Sequence, residues 1–178
     1  WRLELQRERL SGFSSCKAQN VSGKHSANTG VGTAAGNGGH SMAWVEPGST
    51  MVTAVLSYWQ LTRSWIDHGG NVLEESLDAF LGLDLEAMAA AVDDTTGQVT
   101  ICNPNNPTGT LLDPEDLEAW IHKLPDSIIV FVDEAYVELS ENGESVNSMA
   151  RLVPEMESLV IARTFSNVYG MAGLQLPI

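Results

Sequence analysis

Apolar residues recur in short bursts between about residue 50 and residue 164, and the spacing within the bursts switches between two periods. Thr50-Met-Val-Thr-Ala-Val-Leu56 is rich in β-branched residues and predicts a strand after the Glu46-Pro-Gly-Ser49 turn. Tyr58, Leu61 and Trp65 follow at helical spacing, and Gly69-Gly70 supplies a stop, so residues 58–68 predict a helix. Asn71-Val-Leu73 predicts a short strand, the alanine-rich run from Leu83 to Val92 a helix, and Val99 to Asn103 the next strand. Asp113-Pro-Glu-Asp116 has the chemistry of a helix start. The aspartate can accept from orphan amides, the proline lacks only an N–H that has no partner there, and the acids face the positive end of the dipole. That helix is expected to run to Lys123, followed by a strand over Ser127–Asp133, a helical stretch over Val146–Leu152 and a strand over Leu159–Thr164.

Strand alternating with helix argues for an α/β domain with a largely parallel sheet. Ligands of such sheets bind beyond the carboxyl ends of the strands. The first part of the chain lacks the pattern. Trp1 to Leu10 reads as the end of a helix, and residues 11–39, dominated by Gly, Ser, Asn, Ala and Thr, read as loop. A helix over Ala34–Val45 is opposed by Gly36, Gly38 and Gly39, each about 1 kcal/mol worse than alanine. The start at Trp1 and the stop at Pro177-Ile178 make the chain read as a piece of a longer protein.

Length and composition narrow the class. The 178 residues, 43% of them hydrophobic, suffice for one domain with a real core. The balance of 23 Asp and Glu against 9 Lys and Arg gives a net charge of −14. Such a surface repels phosphate backbones, so no nucleic-acid partner is expected, and the dispersed acids read as a solvated face. Cys16 and Cys102 form no CxxC pair, and the plain reading is reduced thiols in a cytoplasmic protein. No run approaches the roughly 18 apolar residues of a membrane span, so no membrane partner is expected. His25, His40, His68 and His122 are scattered and suggest no metal site. Trp44, Trp59, Trp65 and Trp120 stand at helical positions and are expected in the core.

Two stretches carry candidate chemistry. Ile101-Cys-Asn-Pro-Asn-Asn-Pro-Thr-Gly-Thr110 is a strand running into a turn of amides, and Ile128-Ile-Val-Phe-Val-Asp133 is a strand that delivers a carboxylate to the same sheet edge. Either alone could be structural: two prolines and a glycine make a rigid turn, and an aspartate after a strand can cap a helix. Together, each after a strand, they are more specific. An acid held by a buried strand can pair with a cationic ring nitrogen, as chemistry of the pyridoxal phosphate kind requires.

With these stretches, Glu46-Pro-Gly48, Tyr58, Val130 to Tyr136 and Arg163-Thr-Phe-Ser-Asn-Val-Tyr-Gly-Met-Ala-Gly-Leu-Gln-Leu176, the chain resembles the fold-type I, pyridoxal-phosphate-dependent aminotransferases of class I/II. Within these it is most similar to histidinol-phosphate aminotransferases, over Gly32 to Leu176. The resemblance implies a three-layer α/β large domain with a mostly parallel sheet flanked by helices. It divides the chain into an N-terminal remnant over 1–31 and a partial cofactor-binding domain over 32–178, with the C-terminal small domain missing. It implies pyridoxal 5′-phosphate as cofactor, an amino acid and a 2-oxo acid as substrates, and a homodimer.

The resemblance also implies roles by position. Tyr58 matches the aromatic that stacks on the pyridine ring. Asn106 and Tyr136 match the amide and hydroxyl that contact its phenolic oxygen. Asp133 matches the carboxylate that keeps the ring nitrogen protonated. Gly32, Thr33 and Ala34 match the turn whose amides meet the phosphate, and Thr164 and Ser166 match hydroxyls near it. Asn167 departs from the pattern, because it stands where the lysine that bonds the cofactor and moves the substrate proton is expected, and an amide does neither. Gln175 stands where an arginine clamps the phosphate, and Pro177 where a glycine is expected. Lys24, in Ser22-Gly-Lys-His-Ser26, reads as a solvated residue rather than a substitute. The readings left open are a crippled aminotransferase, a non-catalytic holder of the cofactor or its amine form, a decaying gene, and a phosphoamino-acid decarboxylase of the same superfamily.

Overall fold

The five apolar bursts expected as strands join one sheet. The computed structural model describes residues 45–164 and 167–170. The strands are β1 (Thr50–Ala54), β2 (Asn71–Glu75), β3 (Thr96–Cys102), β4 (Ile129–Asp133) and β5 (Leu159–Ala162). Their order is β2-β1-β3-β4-β5, and all four pairings are parallel. Between them lie helices α1 (Trp59–Asp67), α2 (Leu85–Ala90), α3 (Pro114–Ile121) and α4 (Glu144–Asn147). Single 3-10 turns cover Val137–Leu139 and Met149–Leu152. This is the α/β architecture with a parallel sheet that the alternating pattern predicts.

Register assigns the two faces of the sheet. Val52, Val99 and Val130 are neighbours across β1, β3 and β4, and with Ile101, Val132 and Leu159 they form the main core against Met88, Leu117 and Ile121. The residues between them point to the other face, where Met51, Gln98, Thr100 and Phe131 are all buried. The polar members of that face are satisfied: Gln98 Nε2 donates to Thr100 Oγ1 at 2.8 Å, and Thr53 Oγ1 to the Thr100 carbonyl at 3.1 Å. Cys102 and Asp133 are register partners at the carboxyl end of this second face.

Local chemistry explains the helix bounds. Asp113 Oδ1 accepts from the Glu115 and Asp116 amides at 2.9 and 3.2 Å, so α3 starts where expected. It ends at Ile121, short of Lys123. The helix expected from Leu83 starts at Leu85, because Asp84 caps it by accepting from the Ala87 amide. α1 stops at Gly69, whose φ of +87° suits glycine and lets the Gly69 and Gly70 amides close on the Ile66 and Trp65 carbonyls.

Three expectations need correction. β1 ends at Ala54 rather than Leu56, since Leu56 turns the chain at a φ of 49°. The helical stretch over Val146–Leu152 is broken at Ser148, which is extended. Its hydroxyl caps the second piece at the Ala150 amide, and the Met149 amide goes to the Glu134 carboxylate instead of to a helical carbonyl. Trp65 and Trp120 are in the core, but Trp59 is 62% exposed, on the opposite side of α1 from the buried Leu61 and Trp65. Trp44 lies outside the described residues.

Candidate functional site

In a parallel sheet of this order the chain leaves β1 to pair on one side with β2, then returns to pair β3 on the other. That reversal opens a crevice at the carboxyl ends of β1 and β3. Tyr58 follows β1, Asn103–Thr110 follows β3, and Asp133 closes β4 alongside.

The loop after β3 is built around Asn105. This buried side chain donates to the Leu56 carbonyl at 3.0 Å and to Thr108 Oγ1 at 2.8 Å, and accepts from Ser57 Oγ at 2.9 Å. Its own carbonyl accepts from the amide of Gly109, whose φ of +73° suits glycine. Asn103 Oδ1 accepts from the Leu112 amide at 2.9 Å, tying the far end of the loop. Both Asn–Pro bonds, 103–104 and 106–107, are cis. With Asn105 occupied in holding the loop, the half-buried Asn106 faces a cleft of about 500 Å³ that it lines together with Tyr136, Leu111, Leu139 and Glu141.

Asp133 is 1% exposed. Its Oδ1 accepts from the Ala135 amide at 3.0 Å, and among the described residues no cation pairs with it. Burial pushes its carboxyl up to about 6 from 3.8, and the neighbouring charge of Glu134 adds to the rise. Beside it, burial first and then Asp133 push the Cys102 thiol up to about 12. Tyr58 is close enough to Asp133, Tyr136 and Cys102 for their charges to raise its phenol, burial contributing the largest share. The Tyr58 hydroxyl donates to Gln60 Oε1. Tyr58, Cys102, Asp133 and Tyr136 therefore form one cluster, and Tyr136 joins it to the cleft that holds Asn106. Asp133 is not among the residues that line that cleft.

Thr164 is buried just past β5, and Asn167 is exposed in a bend that follows. Gly32, Thr33, Ala34, Ser166 and Gln175 lie outside the described residues. Among the described residues no helix is long and apolar enough to cross a membrane, and no three His, Cys, Asp or Glu side chains gather as a metal site.

The sequence matches the family model of aminotransferase class I and II over residues 7–176. The chain belongs to this family. A histidinol-phosphate aminotransferase of Brevibacillus brevis is 38% identical over 136 residues, which are 76% of this chain and 37% of the relative. An aromatic amino acid aminotransferase of Mycolicibacterium vanbaalenii is 46% identical over 93 residues, 52% of this chain and 26% of the relative. The histidinol-phosphate aminotransferase of Sinorhizobium meliloti, solved in complex with pyridoxal-5′-phosphate, superposes with a TM-score of 0.74 at 28% identity, over 82% of this chain and 39% of that one. The chain thus spans well under half the length of these relatives.

Pyridoxal phosphate is the cofactor of class I and II aminotransferases, and the buried side chains suit its ring. A carboxylate held out of water with no cation of its own is matched by a cationic ring nitrogen. Asn167 carries an amide, which forms no Schiff base. Three contributors escaped the sequence reading. Asn105, next to Asn106, anchors the loop; Cys102 packs against Asp133; and Gln60 takes the Tyr58 hydroxyl. Only the doubled asparagine was a signal in advance.

Proposed function

We propose that the carboxyl edge of this sheet holds the ring of pyridoxal phosphate, or of its amine form, without a covalent bond. The observation behind the reading is Asp133: a buried carboxylate with no cation beside it among the described residues, clustered with Tyr58 and Tyr136. Asp133 pairs with the ring nitrogen, Tyr58 covers the ring face, and Asn106 and Tyr136 donate to its phenolic oxygen. The family resemblance assigns the phosphate to Gly32, Thr33, Ala34, Thr164 and Ser166. The bound cofactor supplies a sink for the electrons left at the substrate Cα. Residues 32–178 are then part of a cofactor-binding domain that works as a homodimer.

The reaction served by this architecture moves an amino group between an amino acid resembling histidinol phosphate and a 2-oxo acid. This chain performs it at trace level. Asn167 neither anchors the cofactor nor carries the proton from Cα. Gln175 replaces a charge-assisted phosphate contact of about 1.5–3 kcal/mol with a weaker one.

The test is retention of pyridoxamine phosphate in equilibrium dialysis, beside absorbance titration with pyridoxal phosphate. The wild-type chain should retain the amine form and show no borohydride-fixed cofactor. The Asn167→Lys, Gln175→Arg double variant should gain cofactor fixed at position 167. Failure of the wild type to retain pyridoxamine phosphate removes the reading.

A further inference from the structure

Next to Asp133 lies a second buried carboxylate that the ring-holding reading leaves unused. Glu134 is 1% exposed. Its Oε2 accepts from Ser148 Oγ at 2.7 Å and from Arg163 Nε at 3.1 Å, and its Oε1 from the Met149 amide at 2.6 Å. Arg163 reaches further, through Nη2 to Ser148 Oγ at 2.7 Å and through Nη1 to Glu144 Oε2 at 2.6 Å. The Glu134 amide donates to the Ala162 carbonyl at 2.8 Å and closes the ring of contacts.

We infer that Glu134 and Arg163 are a positioning pair, clamping the exit of β5, which carries Thr164 and position 167, against the exit of β4, which carries Asp133. The inference rests on the proposed ring site and deepens it. Stability alone does not call for such a pair, because apolar packing of similar volume stabilises as well or better. What an ion pair adds is a fixed geometry between two strand ends, each one residue from a group assigned to the cofactor.

The pair also governs charge. Among the described residues Asp133 is faced by Tyr58 from the β1 exit, Cys102 from β3 and Glu134 from its own segment, with Tyr136 beside Tyr58. Of these only Glu134 is a second carboxylate, and its charge drives a proton onto Asp133. Arg163 opposes it, with Glu144 on the outer side of the guanidinium. Held by Arg163, Glu134 stays in place, while Asp133 has no cation partner among the described residues.

Two readouts on the full chain without ligand test the pair. In Arg163→Gln, amide exchange across residues 163–167 should quicken about tenfold while β1 and β3 are unchanged, as for a local opening. In Glu134→Gln, which keeps the shape, the ¹³C titration midpoint of the Asp133 carboxyl should fall below its wild-type value. A merely structural clamp gives the first result and not the second. Unchanged exchange in Arg163→Gln, or an unmoved Asp133 midpoint in Glu134→Gln, overturns the inference. Neither measurement uses the cofactor, so a wild-type chain that fails to retain pyridoxamine phosphate sinks the ring-site reading separately and leaves the pair to be judged on these two results.

Discussion

At the scale of single residues, Asp133 sets the behaviour of the ligand-free chain. It holds its proton more tightly folded than unfolded, about 6 against 3.8. Between those values the folded state carries the extra proton. The stabilisation is therefore complete below the lower value and is lost as pH rises through the upper one. Over that window the loss is about 3 kcal/mol at most. Asp133→Asn should raise the urea midpoint at pH about 7 and flatten the fall between about 4 and 7 expected of the wild type; equal slopes in the two proteins would refute this. The same variant should weaken pyridoxamine phosphate retention about tenfold or more, since a charge-assisted contact is lost. An acid at the end of an apolar strand was readable from the sequence, as was the amide turn that precedes it. The thiol of Cys102 was not, because neighbours across a sheet are set by register, and register is invisible until the strands pair.

At the scale of elements, turn chemistry proved the most readable part. Asp113 was expected as a cap and is one, so Asp113→Ala should lower stability by about 1 kcal/mol in urea melts. Gly70 has a stronger reason to be glycine than ending a helix. A Cβ there would lie 2.1 Å from Trp65 Nε1, and the indole is fully buried with nowhere to move. Gly70→Ala should therefore destabilise by about 2 kcal/mol, with a shift in Trp65 fluorescence. The break at Ser148 was not readable. Periodicity favours a continuous helix over Val146–Leu152, and what overrides it is a tertiary bond from the Met149 amide to Glu134, which no local pattern encodes.

At the scale of the whole molecule, the alternation of strand and helix was enough to predict a parallel sheet, but not the order β2-β1-β3-β4-β5. That order depends on which connection crosses to which side, and it is what brings Tyr58, Cys102 and Asp133 together. Charge acts at the same scale. Net −14 means self-repulsion in the compact state. Salt also weakens the exposed Arg63–Asp67 and Arg151–Glu118 pairs, yet such pairs contribute only about 0–1 kcal/mol each. Repulsion dominates, so raising NaCl to about 1 M should raise the urea midpoint. A lowered midpoint would show that the ion pairs matter more than the overall charge.

The buried Cys102 gives the molecule a built-in reporter. Alkylating reagents attack the thiolate, and a thiol pushed up to about 12 has almost none at neutral pH. Labelling at this position then waits for the sheet edge to open, and in a Cys16→Ser background the modification rate becomes a clock for that opening. Any small molecule that settles against Asp133 should slow the clock, which makes iodoacetamide labelling a screen for occupants that needs no turnover.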